Sequence, residues 1–548
     1  MTREWVQSTA LADILLRTAD ARPDHEALVF PTERFSYREV AERSIRAARN
    51  LAGIGIRRGD HVGLLMPNCP DFVFTFFGLQ LLAAVAVPIN TRFRTRELAY
   101  IAENADLDAI VTSDIVHEHV DFVERLHAAL PGLAETVEPL RATLGAAPRL
   151  RSVVLLGGRE ADGMVTATAF AAAGEGIDEE HVWREREHVR VRDPAVMLFT
   201  SGTTAQPKGC MISHEAIARP WLSSARRFEI TRDDRVWDAL PLFHMSCLGP
   251  LLFCCDLGAT MFSMTHFEAG AALDQIERER PTRIYSIFPP IIMAIVKHES
   301  FARRDLSFVR GLMNVAPVET MNVIQAAFPQ ARNCGGHFGM TEASGAITCN
   351  YWNAPPEVLA SWHGPPLPGV EVRAVDPETR EPLPPNVEGE LQVRGCGLFE
   401  GYYRDPELTA EAMRGGWLNS GDLGIVDEAG NVKYLARLKD MLKVGGENVG
   451  PAEIESHLST HPAVKLVQVV GAPDERLVEV PAAFIELVPG VTWTEEEAIE
   501  YCQGEIASFK VPRYVRFVEE WPMSATKIQK FRLREQIAEE LAAAKART

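Results

Sequence analysis

The sequence predicts an α/β and α+β multidomain fold. A large N-terminal α/β domain with parallel sheets and a small antiparallel subdomain is hinged to a small α+β C-terminal lid. Three observations predict it. Helical and strand-like runs alternate over residues 9–130, the order that builds parallel sheets covered by helices. From Val370 to Tyr434 the chain changes to short strands and turns, punctuated by Pro382, Pro384, Pro385, Gly389, Gly395, Gly401, Gly415 and Gly416. After Arg437-Leu438-Lys439-Asp440 a block of about 110 residues begins, enough for a small α+β domain. The expected division is residues 1–437, with the β-rich part near 370–437, and residues 438–548, with the hinge at Lys439.

The elements follow in chain order. Leu11 to Ala19 and Tyr37 to Leu51 have helical spacing of apolar residues. Val62-Gly63-Leu64-Leu65-Met66 and Ala109-Ile110-Val111-Thr112 are short apolar runs of strand type. Phe72 to Val87 holds only Thr75 and Gln80 as polar side chains. At 16 residues, ending at Pro88, it falls short of the ~20 needed to span a bilayer and predicts a buried helix followed by a buried strand. From Pro131 to about Arg192 the pattern weakens. Gly157-Gly158 and the charged run Asp178 to Arg192 predict connecting and surface structure there. In the last block, Pro451 to Leu458 is helical, Val464 to Val470 and Ala482 to Leu487 are strands, and a helical tail starts at Arg532.

Composition narrows the function classes. Apolar content of 46% and charged content of 24% are those of a soluble globular protein. A formal net charge of −19 argues against broad nucleic-acid binding, so an anionic ligand would need local lysines, arginines and N–H groups. Nine cysteines without zinc spacing fit buried thiols in a reducing, cytoplasmic compartment. His117-Glu118-His119 lacks a third metal ligand nearby. The start, Met1-Thr2-Arg3-Glu4-Trp5, has no secretory pattern, and no transmembrane segment is expected. Oligomeric state is left open, a homodimer included.

The densest signal lies mid-chain. Ala195-Val196-Met197-Leu198-Phe199 is an apolar strand opening into Thr200-Ser201-Gly202-Thr203-Thr204-Ala205-Gln206-Pro207-Lys208-Gly209. Small residues let the backbone approach a ligand, and backbone N–H groups, four hydroxyls and one lysine can hold a polyphosphate. The bland alternative is a Ser/Thr-rich surface turn. The loop is not a Walker A motif, because Lys208 follows Pro207 and neither Ser nor Thr follows Lys208.

This loop resembles the phosphate loop of the adenylate-forming enzymes, which include acyl-CoA synthetases, peptide-synthetase adenylation domains and luciferases. Ala205 stands where that family has glycine. The resemblance recurs in the family's order. Val87-Pro88-Ile89-Asn90 matches a buried segment, and Pro241-Leu242-Phe243-His244-Met245 matches Pro-Leu-Phe-His. The resemblance places His244 near the bound carboxylate. Asn314-Val315-Ala316-Pro317 takes the place of a Gly-Ala-Pro nucleotide turn, with Asn314 tolerating left-handed geometry better than most residues. Phe338-Gly339-Met340-Thr341-Glu342 resembles Tyr-Gly-x-Thr-Glu. It implies that Phe338 stacks on adenine, Thr341 bonds the α-phosphate, and Glu342 holds Mg²⁺. Met245, Ser246, Gly336 and His337, with neighbours between Ile284 and Asn314, would shape the acyl pocket.

Gly389-Glu390-Leu391-Gln392-Val393-Arg394-Gly395 matches a structural strand-and-turn motif, and Trp417-Leu418-Asn419-Ser420-Gly421-Asp422 resembles Trp-x-x-Thr-Gly-Asp. Asp422 would accept from both ribose hydroxyls, with Arg437 adding a second contact. Lys443-Val444-Gly445-Gly446-Glu447-Asn448-Val449 resembles the segment beside the pantetheine arm of coenzyme A. Pro522-Met523-Ser524-Ala525-Thr526-Lys527-Ile528-Gln529-Lys530 resembles Thr-Gly-Lys-Ile-x-Lys without its glycine. Lys527 would bind the substrate carboxylate and α-phosphate during adenylation. Ser524 and Lys527 also form an S-x-x-K, a β-lactamase pattern that needs a different fold and two further motifs.

The resemblance thus implies an ATP-dependent, AMP-forming acyl-CoA ligase. It takes a carboxylic acid, ATP with Mg²⁺, and CoA, with Lys527, His244, Glu342 and Thr200 catalytic. Ser201, Gly202, Thr203, Thr204, Lys208, Asn314, Ala316, Pro317, Phe338, Gly339, Thr341, Asp422 and Arg437 would bind nucleotide. Lys443, Gly445 and Gly446 would face CoA. A role in fatty acid metabolism follows from the ligase reading. An amine or carrier-protein thiol as acceptor, a nucleotide- or acyl-binding homologue without catalysis, and a scaffold remain as alternatives.

Overall fold

The computed structural model describes residues 9–200, 207–287, 289–316, 318–444, 447–523 and 528–545. Two compact units divide the chain: Met1–Glu371 with Val393–Leu418, and Val372–Gln392 with Asn419–Thr548.

The first unit is built on two large sheets dominated by parallel strands. One has eight strands. Its centre is the strand pair His61–Leu65 and Val85–Pro88, joined by the helix Pro70–Leu81, so the apolar run Phe72 to Val87 does form a buried helix and a buried strand. Ala83 turns the chain between them at φ 53°. Every residue of the strand Leu107–Ser113 is buried, as expected of a strand covered on both faces. The second large sheet has seven strands, with Arg235–Trp237, Arg283–Tyr285, Gly311–Met313 and Arg332–Cys334 in parallel register. The expected helices are present as Leu11–Ala21 and Tyr37–Gly53, the latter started by a Ser36–Glu39 capping box.

Residues 131–192 hold more regular structure than their pattern predicts. Ser152–Leu156 pairs with Leu107–Ser113, and Val165–Thr166 extends the same sheet by one more strand. The helices Ala167–Glu175 and Glu179–Glu187 follow. Ala167–Glu175 is alanine-rich and buries only Phe170 and Gly174, so its apolar face carries little periodic signal. Its contact is made by what is missing: a Cβ on Gly53 would lie 2.1 Å from the Ala173 carbonyl oxygen. Two glycines therefore let two helix backbones meet.

Short antiparallel strands occupy the 370–437 stretch as expected. In the first unit Met413–Arg414 pairs with Trp417 and Leu418. In the second, Asp422 to Val426 pairs with Val432–Arg437 in a hairpin that sets Asp422 opposite Arg437. The rest of the second unit is α+β. Val464–Asp474 and Val478–Leu487 form its long hairpin, Tyr514–Phe517 adds a parallel strand, and the helices Pro451–Ser459, Glu495–Cys502 and Lys530–Lys545 complete it. No helix among the described residues is long and apolar enough to cross a membrane.

Candidate active site

The described ends of the phosphate-loop segment, Thr200 and Lys208, belong to two antiparallel strands. Pro194–Thr200 and Lys208–Ser213 pair so that Thr200 faces Lys208 across the ladder. The two residues that flank the loop are thus fixed by strand register. The Thr200 hydroxyl also meets the Cys210 thiol, whose pKa burial drives well up. A third strand, Gly401–Tyr402, pairs with the outer edge of this hairpin, setting Tyr402 opposite Cys210. The Tyr402 hydroxyl donates to Glu342 Oε1 at 2.9 Å, and the Lys208 ammonium lies 5.6 Å from the centre of the Tyr402 ring. Glu342 sits in the 3-10 turn Thr341–Ala343, and its carbonyl accepts from the Phe399 N–H at 2.9 Å. Two residues about 130 positions apart in sequence, Lys208 and Glu342, are thereby held at one place.

The segment leading into Glu342 is tightly packed. Phe338 is buried and pairs with Thr348. A Cβ on Gly339 would lie 2.0 Å from the Gly345 carbonyl oxygen, so this exposed position is closed to any side chain. Gly336 has φ +87°, and a Cβ there would lie 2.0 Å from Asn350 Nδ2. Its glycine is required by Asn350 and Trp362 as well as by any acyl group. Asn314 is absent from the positive-φ residues. Its side chain instead joins a buried amide chain, accepting from Ser286 Oγ at 2.9 Å and donating to Asn333 Oδ1 at 2.9 Å. Ala316, just beyond, is half-buried.

The proposed acyl wall converges on Trp221. Its ring lies 5.5 Å from that of His337, and the Phe228 ring lies 6.3 Å from His337. A Cβ on Gly249 would fall 2.1 Å from Trp221, and one on Gly345 would fall 2.8 Å from Met245 Cβ. The Trp221 N–H donates to the Ser344 carbonyl at 2.8 Å, which locks the indole in that slot. His337 is 7% exposed, and its Nε2 meets no hydrogen-bond partner among the described residues. Burial, assisted by His363, lowers its pKa to about 4, so the ring is neutral at pH 7. His244 caps the helix Met245–Leu257, placing Met245 and Ser246 in its first turn, and its ring lies 4.9 Å from Phe243.

In the second unit, Asp422 is buried at 2% exposure and forms an ion pair with Arg437 Nε at 2.9 Å. Arg437 Nη1 donates to the Ser420 carbonyl at 3.0 Å. Two of Arg437's donor groups therefore hold the Asp422 loop, so the arginine orients the carboxylate. Lys439 lies in the 3-10 turn Leu438–Asp440. Lys443 is exposed on the strand Leu442–Val444, and its N–H donates to Glu479 at 2.9 Å. Ser201, Gly202, Thr203, Thr204, Ala205, Pro317, Gly445, Gly446 and Lys527 lie outside the described residues. Met523 and Ile528 form an isolated antiparallel bridge, and Lys530 pairs with Glu455 at 2.5 Å.

Two residues beside the site carry no motif of their own in the sequence. Trp221 is one apolar residue on a buried helix, and Tyr402 is the first of two tyrosines after Gly401. Only the strand pairing of Tyr402 with Cys210 could have revealed the second. Tyr402 ties one carboxylate, that of Glu342, to the neighbourhood of Lys208. No group of three or more acidic, His or Cys side chains that could hold a metal occurs among the described residues. A lone carboxylate suits Mg²⁺, which keeps its waters and takes the remaining oxygens from substrate phosphates.

Comparison with known proteins identifies what the chain as a whole is similar to. The family model described as AMP-binding enzyme matches residues 15–403, and the AMP-binding enzyme C-terminal domain matches residues 453–527. The chain is 33% identical over 545 residues to "Putative acyl-CoA synthetase YngI" of Bacillus subtilis (strain 168), covering 98% of both. It is 31% identical to the mitochondrial medium-chain acyl-CoA ligase ACSF2 of Mus musculus, over 98% of this chain and 89% of that one. Among solved structures it is similar to the anthranilate CoA ligase AuaEII in complex with anthranoyl-AMP, with TM-score 0.83, 27% identity and 98% of each chain covered. It is also similar to ATP-bound MatB from Rhodopseudomonas palustris, with TM-score 0.81, 27% identity, and 97% and 99% covered.

Proposed function

The chain belongs to the family of AMP-binding enzymes, and from that premise we propose how its residues divide the work of an AMP-forming acyl-CoA ligase. The reaction has two halves. A carboxylate oxygen attacks the α-phosphorus of ATP, forming acyl-AMP and releasing pyrophosphate. The CoA sulfur then attacks the acyl carbonyl, the thiol proton is lost, and AMP leaves with the broken C–O bond's electrons.

The observation that carries the site assignment is the joining of Lys208, Thr200 and Glu342 at one hairpin mouth, next to the segment that also bears His337. In this reading Lys208 and the 200–209 loop bind the phosphates. Thr341 orients the α-phosphate, Phe338 stacks on adenine, and Asp422 accepts from the ribose hydroxyls. Glu342 would hold Mg²⁺, which supplies neutralisation of phosphate charge when bound. His244 and Lys527 align and balance the carboxylate, which is where charge builds in the transition state. Rotation of the C-terminal lid about Lys439 then withdraws Lys527 and brings Lys443, Gly445 and Gly446 to the CoA arm, so one site serves two reactions.

The acid is apolar for most of its length. Trp221, Phe228, Met245 and a neutral His337 are the support for this: they offer ring faces and a thioether and carry no charge at pH 7. An aliphatic acid of medium length, as in the ligase relative from mouse, or an aryl acid, as in the anthranoyl-AMP complex, meets that requirement. Pyrophosphate release with MgATP across short, medium and long fatty acids, aryl acids, hydroxy acids and dicarboxylic acids tests it, with and without CoA. Turnover with medium-length or aryl acids, yielding a thioester only when CoA is present, is the expected result. Preference for a dicarboxylic or long-chain acid would overturn the substrate reading, and a product formed only with an amine would overturn the acceptor.

A further inference from the structure

Tyr402 touches both charged groups at the hairpin mouth. Its hydroxyl donates to Glu342 Oε1 at 2.9 Å, and its ring face lies 5.6 Å from the Lys208 ammonium. The residue is held there from several directions. Its backbone is in register with Cys210, two residues beyond Lys208. Its N–H donates to Thr409 Oγ1 at 2.9 Å, the next N–H, of Tyr403, donates to the Gly209 carbonyl at 2.8 Å, and Phe399 packs edge-on against its ring at 4.9 Å. Phe399 also donates its N–H to the Glu342 carbonyl, so main chain and side chain of Glu342 are both fixed by the same short segment.

This arrangement solves a physical problem. A half-buried lysine and glutamate that both lie against one side chain attract one another. A paired Lys208 would offer less to a phosphate, and a paired Glu342 less to a cation. No ion pair joins the two among the described residues, and Tyr402 lies against both. Its ring attracts the ammonium through its electron-rich face, while its hydroxyl satisfies one carboxylate oxygen and leaves the other.

We propose that Tyr402 is a positioning residue that keeps Lys208 and Glu342 apart as two separate charges, one for the nucleotide's phosphates and one for the metal ion. The proposal rests on the assignment of Glu342 to the metal. It predicts that removal of the one hydroxyl that donates to Glu342 weakens metal binding selectively.

The test uses the full-length chain, Mn²⁺ as the probe, and an ATP analogue with a methylene group between the α- and β-phosphorus. Mn²⁺ affinity is read by electron paramagnetic resonance and AMP affinity, without metal, by calorimetry. Tyr402→Phe should weaken Mn²⁺ binding about tenfold, the scale of one hydrogen bond to a charged group, and leave AMP binding within about twofold. Glu342→Gln should weaken Mn²⁺ at least as much. Because Tyr402 acts through Glu342, the double variant should bind Mn²⁺ no more weakly than Glu342→Gln alone. Unchanged Mn²⁺ affinity in Tyr402→Phe, or losses that add in the double variant, would overturn the role of Tyr402 while leaving Glu342 as the metal residue. Unchanged affinity in Glu342→Gln would remove the metal assignment and this proposal together. Loss of AMP binding in Tyr402→Phe would show a general structural role and reject the positioning one.

Discussion

At the scale of single residues, the site depends on how each charge is held. Asp422 is buried against Arg437, so removing the carboxylate strips the proposed ribose acceptor and takes an ion-pair partner from the guanidinium. Asp422→Ala should raise the KM for ATP roughly ten- to hundredfold, the cost of losing one hydrogen bond that involves a charged group. Initial-rate measurements with varied ATP check this, and an unchanged KM would remove Asp422 from the nucleotide site. Two buried histidines give a pH prediction. Burial lowers the pKa of His214 and of His337 to about 4, against 6.5 in the open chain. Between those values the unfolded chain takes up protons that the folded chain refuses, so stability is complete above the upper value and falls as pH drops toward the lower one. Each histidine accounts for up to about 3 kcal/mol over that window. The denaturation midpoint should be lower at pH 5 than at pH 7, and His214→Asn should reduce the difference. An equal midpoint at both pH values would contradict the buried neutral imidazoles. Motif residues were legible at this scale because their chemistry demands particular side chains: Lys208 and Glu342, far apart in sequence, meet at one hairpin mouth. The tolerance of Asn314 for left-handed geometry is not used, because a buried amide chain through Ser286 and Asn333 fixes that residue by its side chain.

At the scale of elements, glycine positions decide which backbones and rings can approach. Trp221 occupies a slot opened by Gly249 and Gly345, with its N–H tied to Ser344. Gly249→Ala would place a methyl group 2.1 Å from the indole. Either the helix Met245–Leu257 or the indole must shift, and overpacking of this kind costs about 1–3 kcal/mol. The variant should melt at a lower temperature and lose activity toward the largest acid that the unmodified protein accepts. Retention of both would show that Trp221 does not wall the pocket. Strong apolar runs made the core elements readable, as with the helix Pro70–Leu81 and the strand Val85–Pro88. The stretch from 131 to 192 was harder to read. Its strands are two and five residues long, and the helix Ala167–Glu175 docks through Gly174 and small side chains, which leave no periodic apolar signal. Tyr402 was invisible for a related reason: a two-residue strand has no pattern, and its importance arises only from pairing with Cys210.

At the scale of the whole molecule, the account requires one chain to catalyse two reactions with different parts. Sequence order is the ground for proposing both parts, since the motifs from Thr200 to Lys527 follow the order of the resemblance. The limits of the compact units were less legible. Val372–Gln392 belongs with Asn419–Thr548, a grouping set by contacts between distant strands rather than by any break in composition. The central claim is that Lys527 acts in acyl-AMP formation and not in thioester formation. The direct measurement is the comparison of Lys527→Ala with the unmodified protein in each half-reaction alone. Acid-dependent exchange of labelled pyrophosphate into ATP, without CoA, reports the first. Thioester formation from supplied acyl-AMP and CoA reports the second. Exchange should fall by roughly a hundredfold or more, as expected when a charge that stabilises the transition state is removed, while thioester formation is largely kept. Equal loss in both halves would contradict the account.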